Sequence, residues 1–180
     1  HLYVVQGLSD SQIGNMFGLG RGAVQYYRDS YGIQSKPTID NRALYDVGNY
    51  LIKLGFHVVN MRAYDSHSIY DLLVNNQIRI DIRATEYMTK EGRFQFKLLD
   101  KDESDYKESD TRLRVNSGRT KRILNDTCDF IICVGYTNER PYTWVIPSRD
   151  LRRDLQAIVI TPHAENSKYA IYAEAWHLLK

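Results

Sequence analysis

The sequence predicts an α/β protein, with one mixed sheet flanked by helices and a small all-α unit in front of it. Three patterns carry that prediction. Residues 69–85 (IYDLLVNNQIRIDIRAT) read as two short strands joined by a tight turn. The second strand alternates, with Ile78, Ile80 and Ile82 on one face and Arg79, Asp81 and Arg83 on the other; a period of two marks a strand with one face on a core. Residues 129–136 (DFIICVGY) form a nearly continuous apolar run, as expected of a strand covered on both faces. Residues 10–32 show helical spacing interrupted by glycine instead.

Composition sets bounds. The 180 residues suit one ordinary domain and a small appendage, and 43% hydrophobic residues suffice for a core. A formal net charge of +2 gives bulk basicity no voice in choosing a partner. The charge is patchy, however: residues 100–110 (DKDESDYKESD) are acidic and loop-like, and residues 112–122 (RLRVNSGRTKR) are strongly basic. That basic stretch suits either a local phosphate-binding surface or an ordinary solvated face. Cys128 and Cys133 are five apart on one expected strand and should point to opposite faces, so no disulfide is expected. With no signal-peptide pattern and no long apolar run, a reducing cytoplasmic setting and no membrane partner are expected.

Taken in order, residues 1–32 form the appendage. Ser9 or Asp10 caps a first helix carrying Ile13, Met16 and Phe17; Gly18 supplies the turn, and a second helix from about Arg21 carries Val24 and Tyr27 inward. HLYVVQG, before them, is read as the remains of a supporting helix. With Gly14 placed for close helix contact, the segment resembles the helix-turn-helix family. The resemblance implies DNA binding, with Arg21, Gln25, Tyr26 and Arg28 projecting toward bases or phosphates; a helical hairpin used only for packing is the alternative. Residues 33–39 are a linker containing Pro37. The main domain, 40–180, begins near Asp40, a candidate N-cap.

In that domain residues 41–54 read as a helix with Leu44, Val47, Leu51 and Leu54 in a stripe ended by Gly55. Strands are expected at 56–61, 93–99, 129–136, 142–146 and 157–161. Residues 63–68 are expected as a loop, 118–125 as a short helix, and 167–179 as a terminal amphipathic helix.

The hairpin carries the chemistry. Asp71 lies in an apolar run where a charge is costly unless compensated. The hairpin sets it beside Asp81, with Arg83 on the same face as Asp81. Two carboxylates and a cation suit a hard divalent metal and an anionic substrate; an ion pair of these acids with Arg79, Arg83 or Arg62 is the structural alternative. The order helix, strand, hairpin with D…DxR, strand, basic segment and apolar strand resembles the PD-(D/E)XK nuclease superfamily over residues 40–180, above all its intron-associated homing and resolvase-like members. The resemblance implies a restriction-endonuclease-like mixed sheet and a Mg²⁺-dependent endonuclease, with Mn²⁺ as a substitute, that hydrolyses phosphodiester bonds in double-stranded DNA.

It places metal ligation on Asp71 and Asp81, aided by the Ile82 carbonyl, and puts Arg83 where the family carries lysine. Arg83 stabilises charge but cannot act as a base, so Lys97, on a neighbouring strand, is a candidate substitute. The glutamate that the family carries on its first helix has Asp46 as its nearest counterpart. Ser117, Arg119, Lys121 and Arg122 are candidate phosphate contacts. Because a short helix-turn-helix covers few base pairs, a homo-oligomer is expected. A nuclease fold that binds or regulates DNA without cutting it is the alternative that Arg83 supports.

Overall fold

A computed structural model describes residues 1–6, 8–65, 67–99, 108–115 and 118–180, and the chain divides into two units, His1–Pro37 and Thr38–Lys180. In the first, Ser9 closes a capping box with Gln12 and starts helix α1, Asp10–Phe17. Gly18, at φ 66°, ends it in the left-handed region that favours glycine. Helix α2, Arg21–Ser30, follows. The close approach at the turn needs Gly14: a Cβ there would come within 2.5 Å of the Leu19 carbonyl oxygen. Residues 2–6 form hydrogen-bonded turns and not a helix. Of the apolar positions expected to face inward, Val24 is buried and Ile13 half-buried, whereas Phe17, Leu19 and Tyr27 are exposed. The polar residues hold more of this unit than expected. Arg28 is buried and pairs with Asp10 at 3.3 Å and Asp29 at 2.9 Å.

In the second unit Thr38, and not Asp40, caps helix α3, Ile39–Lys53, by accepting from the Asn41 amide. Its stripe, Ala43, Leu44, Val47 and Leu51, is buried, while Leu54 lies outside it and is exposed. Strand β1 (Val58–Asn60) leads into a one-turn helix α4 (Met61–Tyr64), where a loop was expected. Asn60 starts that turn by accepting from the Ala63 amide. Strands β2 (Leu72–Val74) and β3 (Ile78–Thr85) form the hairpin. Strand β4 (Phe94–Lys97) follows, then β5 (Arg112–Arg114) and β6 (Thr120–Arg122), a one-turn helix α5 (Leu124–Thr127), β7 (Phe130–Tyr136), β8 (Pro141–Pro147) and β9 (Ala157–Ile160).

The main sheet runs β1-β2-β3-β7-β8 and is mixed, because β3 and β7 are parallel and the other pairs antiparallel. Strands β4 and β9 form a separate antiparallel ribbon, as do β5 and β6. One core cluster lies between the sheet and α3, the other between the sheet and the β4–β9 ribbon, so β7 is buried nearly throughout. At one crossing the backbone itself is packed: a Cβ on Gly135 would lie 2.6 Å from the Phe94 ring. Because Phe94 is fully buried and cannot swing away, Gly135→Ala is expected to destabilise this unit by about 1–3 kcal/mol, read as a shift in the denaturation midpoint.

Two expected helices are replaced by tertiary pairings. Residues 118–125 supply β6, held against β5, and only then the turn α5. The C-terminal segment forms two 3-10 turns, Ala170–Tyr172 and Trp176–Leu179. Between them Ala173 bridges to Trp144 on β8, and Glu174, at φ 51°, takes hydrogen bonds from Thr143 and Trp176. Cys128 and Cys133 are free thiols buried in the same core cluster, not on opposite faces, because β7 starts only at Phe130. Burial pushes both thiols above their ordinary pKa. Among the described residues no helix is long and apolar enough to cross a membrane.

Candidate functional site

The hairpin turn is set by Asn75 and Asn76, at φ 50° and 59°, the double left-handed conformation that matches the twist of two antiparallel strands. It pairs Leu72 with Ile80, where the ladder ends, and Asp71, just before β2, lies near enough to Asp81 for its charge to act on that carboxyl. The Asp71 amide donates to the Ile80 carbonyl at 2.8 Å. Its carboxylate accepts from the Ile82 amide at 2.6 Å and from Arg62 Nε at 2.6 Å. The side chain thus ties the end of β2 to the middle of β3.

Asp81 projects from the other side of β3 than Ile80 and Ile82, toward the β4–β9 ribbon, and is 1% exposed. Arg83 Nε lies 2.8 Å from its Oδ1, and Arg83 Nη2 donates to Oδ2 at 3.1 Å. Arg122 reaches in from β6: its Nη1 donates to Asp81 Oδ2 at 3.3 Å and to the Ile69 carbonyl at 2.8 Å. The Oδ1–Arg83 contact lies off the hydrogen-bonding direction, so that among the described residues Asp81 Oδ1, Arg83 Nε and Arg122 Nε are buried without a hydrogen bond.

Burial pushes the Asp81 carboxyl above the usual carboxylate range, and the Asp71 charge adds to the rise, while Arg83, Arg122 and Arg62 pull it back. Burial disfavours the Arg83 charge as well, but Asp81 and then Asp71 outweigh it and hold its proton more firmly. The asymmetry has a physical cause: Asp71 works against ionising Asp81 and for keeping Arg83 charged.

Among the described residues, no group of three or more His, Cys, Asp and Glu side chains gathers as a metal cage. The donors at hand are two carboxylates and main-chain carbonyls, all hard oxygens; Asp81 Oδ1 accepts no hydrogen bond, and the Arg83 guanidinium lies 2.8 Å from it as an ion pair. That set fits Mg²⁺, which keeps most of its waters and binds through one or two carboxylates plus substrate phosphate.

Lys97 is exposed on β4. It lines, together with Arg83 and Gln95, an open groove of about 640 Å³ that Thr85, Tyr87 and Asp40 also border. Asp46 is not brought to the acids. Its carboxylate accepts from Tyr136 Oη at 2.6 Å, and Tyr136 packs on the α3 face of the sheet, opposite to the face of Asp81. Burial, and then the bond to Asp46, raises the Tyr136 hydroxyl pKa.

The basic segment also divides. Ser117 lies outside the described residues, and Arg119 is half-buried. Lys121 is 1% exposed and donates to the carbonyls of Arg153 at 2.9 Å and Leu155 at 2.7 Å, so it is a strut and not a phosphate contact. Arg122 belongs to the Asp81 cluster. In the first unit Arg21, Gln25 and Tyr26 are exposed on α2, whereas Arg28 faces inward, drawn by Asp10 and Asp29. Arg79, weighed as a partner for the acids, pairs instead with Asp129 at 2.9 Å.

From sequence Arg62 is offered only as an ion-pair partner of the acids, which it is for Asp71, and Arg122 only as a phosphate contact. Arg62 belongs to the site because α4 turns it back over Asp71, and Arg122 because β6 is a strand. A helical reading of 118–125 hides the reach of Arg122 to Asp81.

No protein-family model matches the chain, and no curated protein is significantly similar to it. Among solved structures, the bacterial homing endonuclease I-Ssp6803I has a similar fold, with a TM-score of 0.57 and 16% identity over 78% of this chain and 90% of that one.

Proposed function

We propose that this protein is a Mg²⁺-dependent endonuclease of double-stranded DNA, built as a PD-(D/E)XK nuclease domain behind a helix-turn-helix reader. The observation that carries the proposal is the buried pair Asp71 and Asp81, brought near each other by one hairpin with Arg83 against Asp81, in a fold similar to that of a homing endonuclease. Asp71 and Asp81 would hold the metal, with the Ile82 carbonyl as third protein ligand. When bound, Mg²⁺ supplies Lewis-acid activation of water and of the scissile phosphate.

The chain's own groups do the rest. Asp71, bonded to the Ile82 amide, keeps the two strand segments in fixed register, so both carboxylates are positioned before substrate arrives. Arg83 stays protonated and offsets the charge that builds on the phosphate. Lys97, along the groove from Arg83, offers a flexible ammonium for the same phosphate or its neighbour. Asp46, bonded to Tyr136, has no part in this chemistry.

The test is incubation of supercoiled plasmid and of long linear DNA with the protein. Nicking or cutting is expected with Mg²⁺ or Mn²⁺ and none with excess chelator. A second reading, DNA binding without cleavage, is favoured by one observation: Arg62, Arg83 and Arg122 already compensate both acids. Steeply salt-dependent binding without cutting of any DNA would decide for it.

In the helix-turn-helix unit, Arg21, Gln25 and Tyr26 are the proposed DNA contacts, and the few base pairs such a helix covers favour a homo-oligomer. Arg21→Ala is expected to weaken duplex binding by about fivefold or more with an unchanged melting curve. Arg28→Ala is expected to destabilise its unit by about 1.5–3 kcal/mol, the worth of buried charged hydrogen bonds, as read by its denaturation.

A further inference from the structure

The β4–β9 ribbon has two unlike faces. Phe94, Phe96, Ile158 and Ile160 are fully buried on its inner face. The outer face carries Gln95 and Lys97 on β4 and Val159, 43% exposed, on β9, with exposed Arg93 just before β4. The register sets Gln95 directly opposite Val159. Neither the Gln95 nor the Lys97 side chain has a hydrogen-bond or ion-pair partner among the described residues. Both line the groove that Arg83 lines, so this face is continuous with the candidate active site.

We infer that the outer face of this ribbon enters the major groove beside the scissile phosphate and reads an A·T base pair with Gln95 and Val159.

Dimensions and chemistry both support this. The major groove is about 12 Å wide and admits a two-stranded ribbon, whose strands lie about 4.8 Å apart. Side chains two residues apart on a strand are about 6.7 Å apart, against a base rise of about 3.4 Å, so Arg93, Gln95 and Lys97 together span about four base steps. Glutamine matches the N6 and N7 edge of adenine in a bidentate pair, and an aliphatic side chain packs on the thymine methyl. Gln95 and Val159, side by side across the ribbon, present those two complements to one base pair. Arg93 and Lys97, on either side, reach flanking guanines or phosphates. The buried inner face holds all of them on a rigid element, where a precise contact can be kept.

The inference deepens the DNA-endonuclease reading and depends on it. Duplexes randomised along their length would be selected by binding to the full chain and sequenced, for the wild type, Gln95→Ala and Gln95→Arg. The wild type is expected to enrich a motif containing one A·T position. Gln95→Ala should flatten that position by about tenfold or more and leave the others intact, and Gln95→Arg should move it toward guanine. Gln95 is exposed, so both variants fold. An identical motif from all three proteins, or weakening spread evenly over every position, would overturn the ribbon's role alone and leave its polar face as protection against edge pairing. A wild-type pool with no enrichment would overturn the ribbon's role and sequence-specific recognition together, while plasmid cutting reports separately on the nuclease.

Discussion

Asp81→Asn is expected to lower the rate of Mg²⁺-dependent DNA cleavage by about three orders of magnitude, with Asp71→Asn close to it. Loss of a ligand to a catalytic metal removes several kcal/mol of charge stabilisation, and each ~1.4 kcal/mol is tenfold in rate. The amide is nearly the same size as the carboxylate, so the buried site stays filled. Arg83 and Arg122 lose a charged partner at nitrogens that are buried from water, so a lower melting temperature is expected as well. Assays run well below the variant's own melting temperature, beside a measured melting curve, separate lost chemistry from lost fold. Cutting that survives both substitutions would refute the site. Arg83→Lys is an informative companion. A lysine there keeps the charge but not the planar guanidinium that bonds Oδ2 and ion-pairs with Oδ1 of Asp81, and cleavage at or above the wild-type level is expected if the role is electrostatic.

The second large effect lies in stability. Lys121→Met is expected to destabilise the second unit by about 2–3 kcal/mol, which for a chain of this size is a fall of roughly 4–12 °C in Tm. Methionine fills the channel but leaves the Arg153 and Leu155 carbonyls without the ammonium that bonds them. Relief from burying a charge offsets part of that loss. The same variant is expected to leave the salt dependence of DNA binding unchanged, because Lys121 is 1% exposed and displaces no counterion. A reduced salt slope would return Lys121 to the DNA surface; an unchanged Tm would show that the two carbonyls find other donors.

The legible parts of this chain are those whose signal is local. The alternation of residues 78–83 marks β3 and its two faces, and the asparagines mark the turn. Both together bring Asp71 close to Asp81, because the length of the turn, residues 75–77 between the paired Val74 and Ile78, fixes the register. The apolar run of β7 and the stripe of α3 are legible for the same reason. Elsewhere periodicity misled. Residues 167–179 have helical spacing, yet Ala173 bridges Trp144 and Glu174 accepts from Thr143, both on the distant strand β8. Residues 118–125 look like a cationic helix start, yet Lys121 is buried under carbonyls more than thirty residues away.

What the amino-acid order settles alone is therefore the hairpin, the α/β class and the presence of two acids and an arginine at adjoining positions, since each depends on neighbours within a few residues. Tertiary structure decided the rest. It sent Arg62 and Arg122 to the acids, turned Arg28 and Lys121 inward, held Asp46 on the opposite face with Tyr136, and stood Gln95 and Lys97 in the groove of Arg83. A side chain's partners across the fold depend on which strand pairs with which and on which charges burial forces together, and neither quantity is written in any one segment.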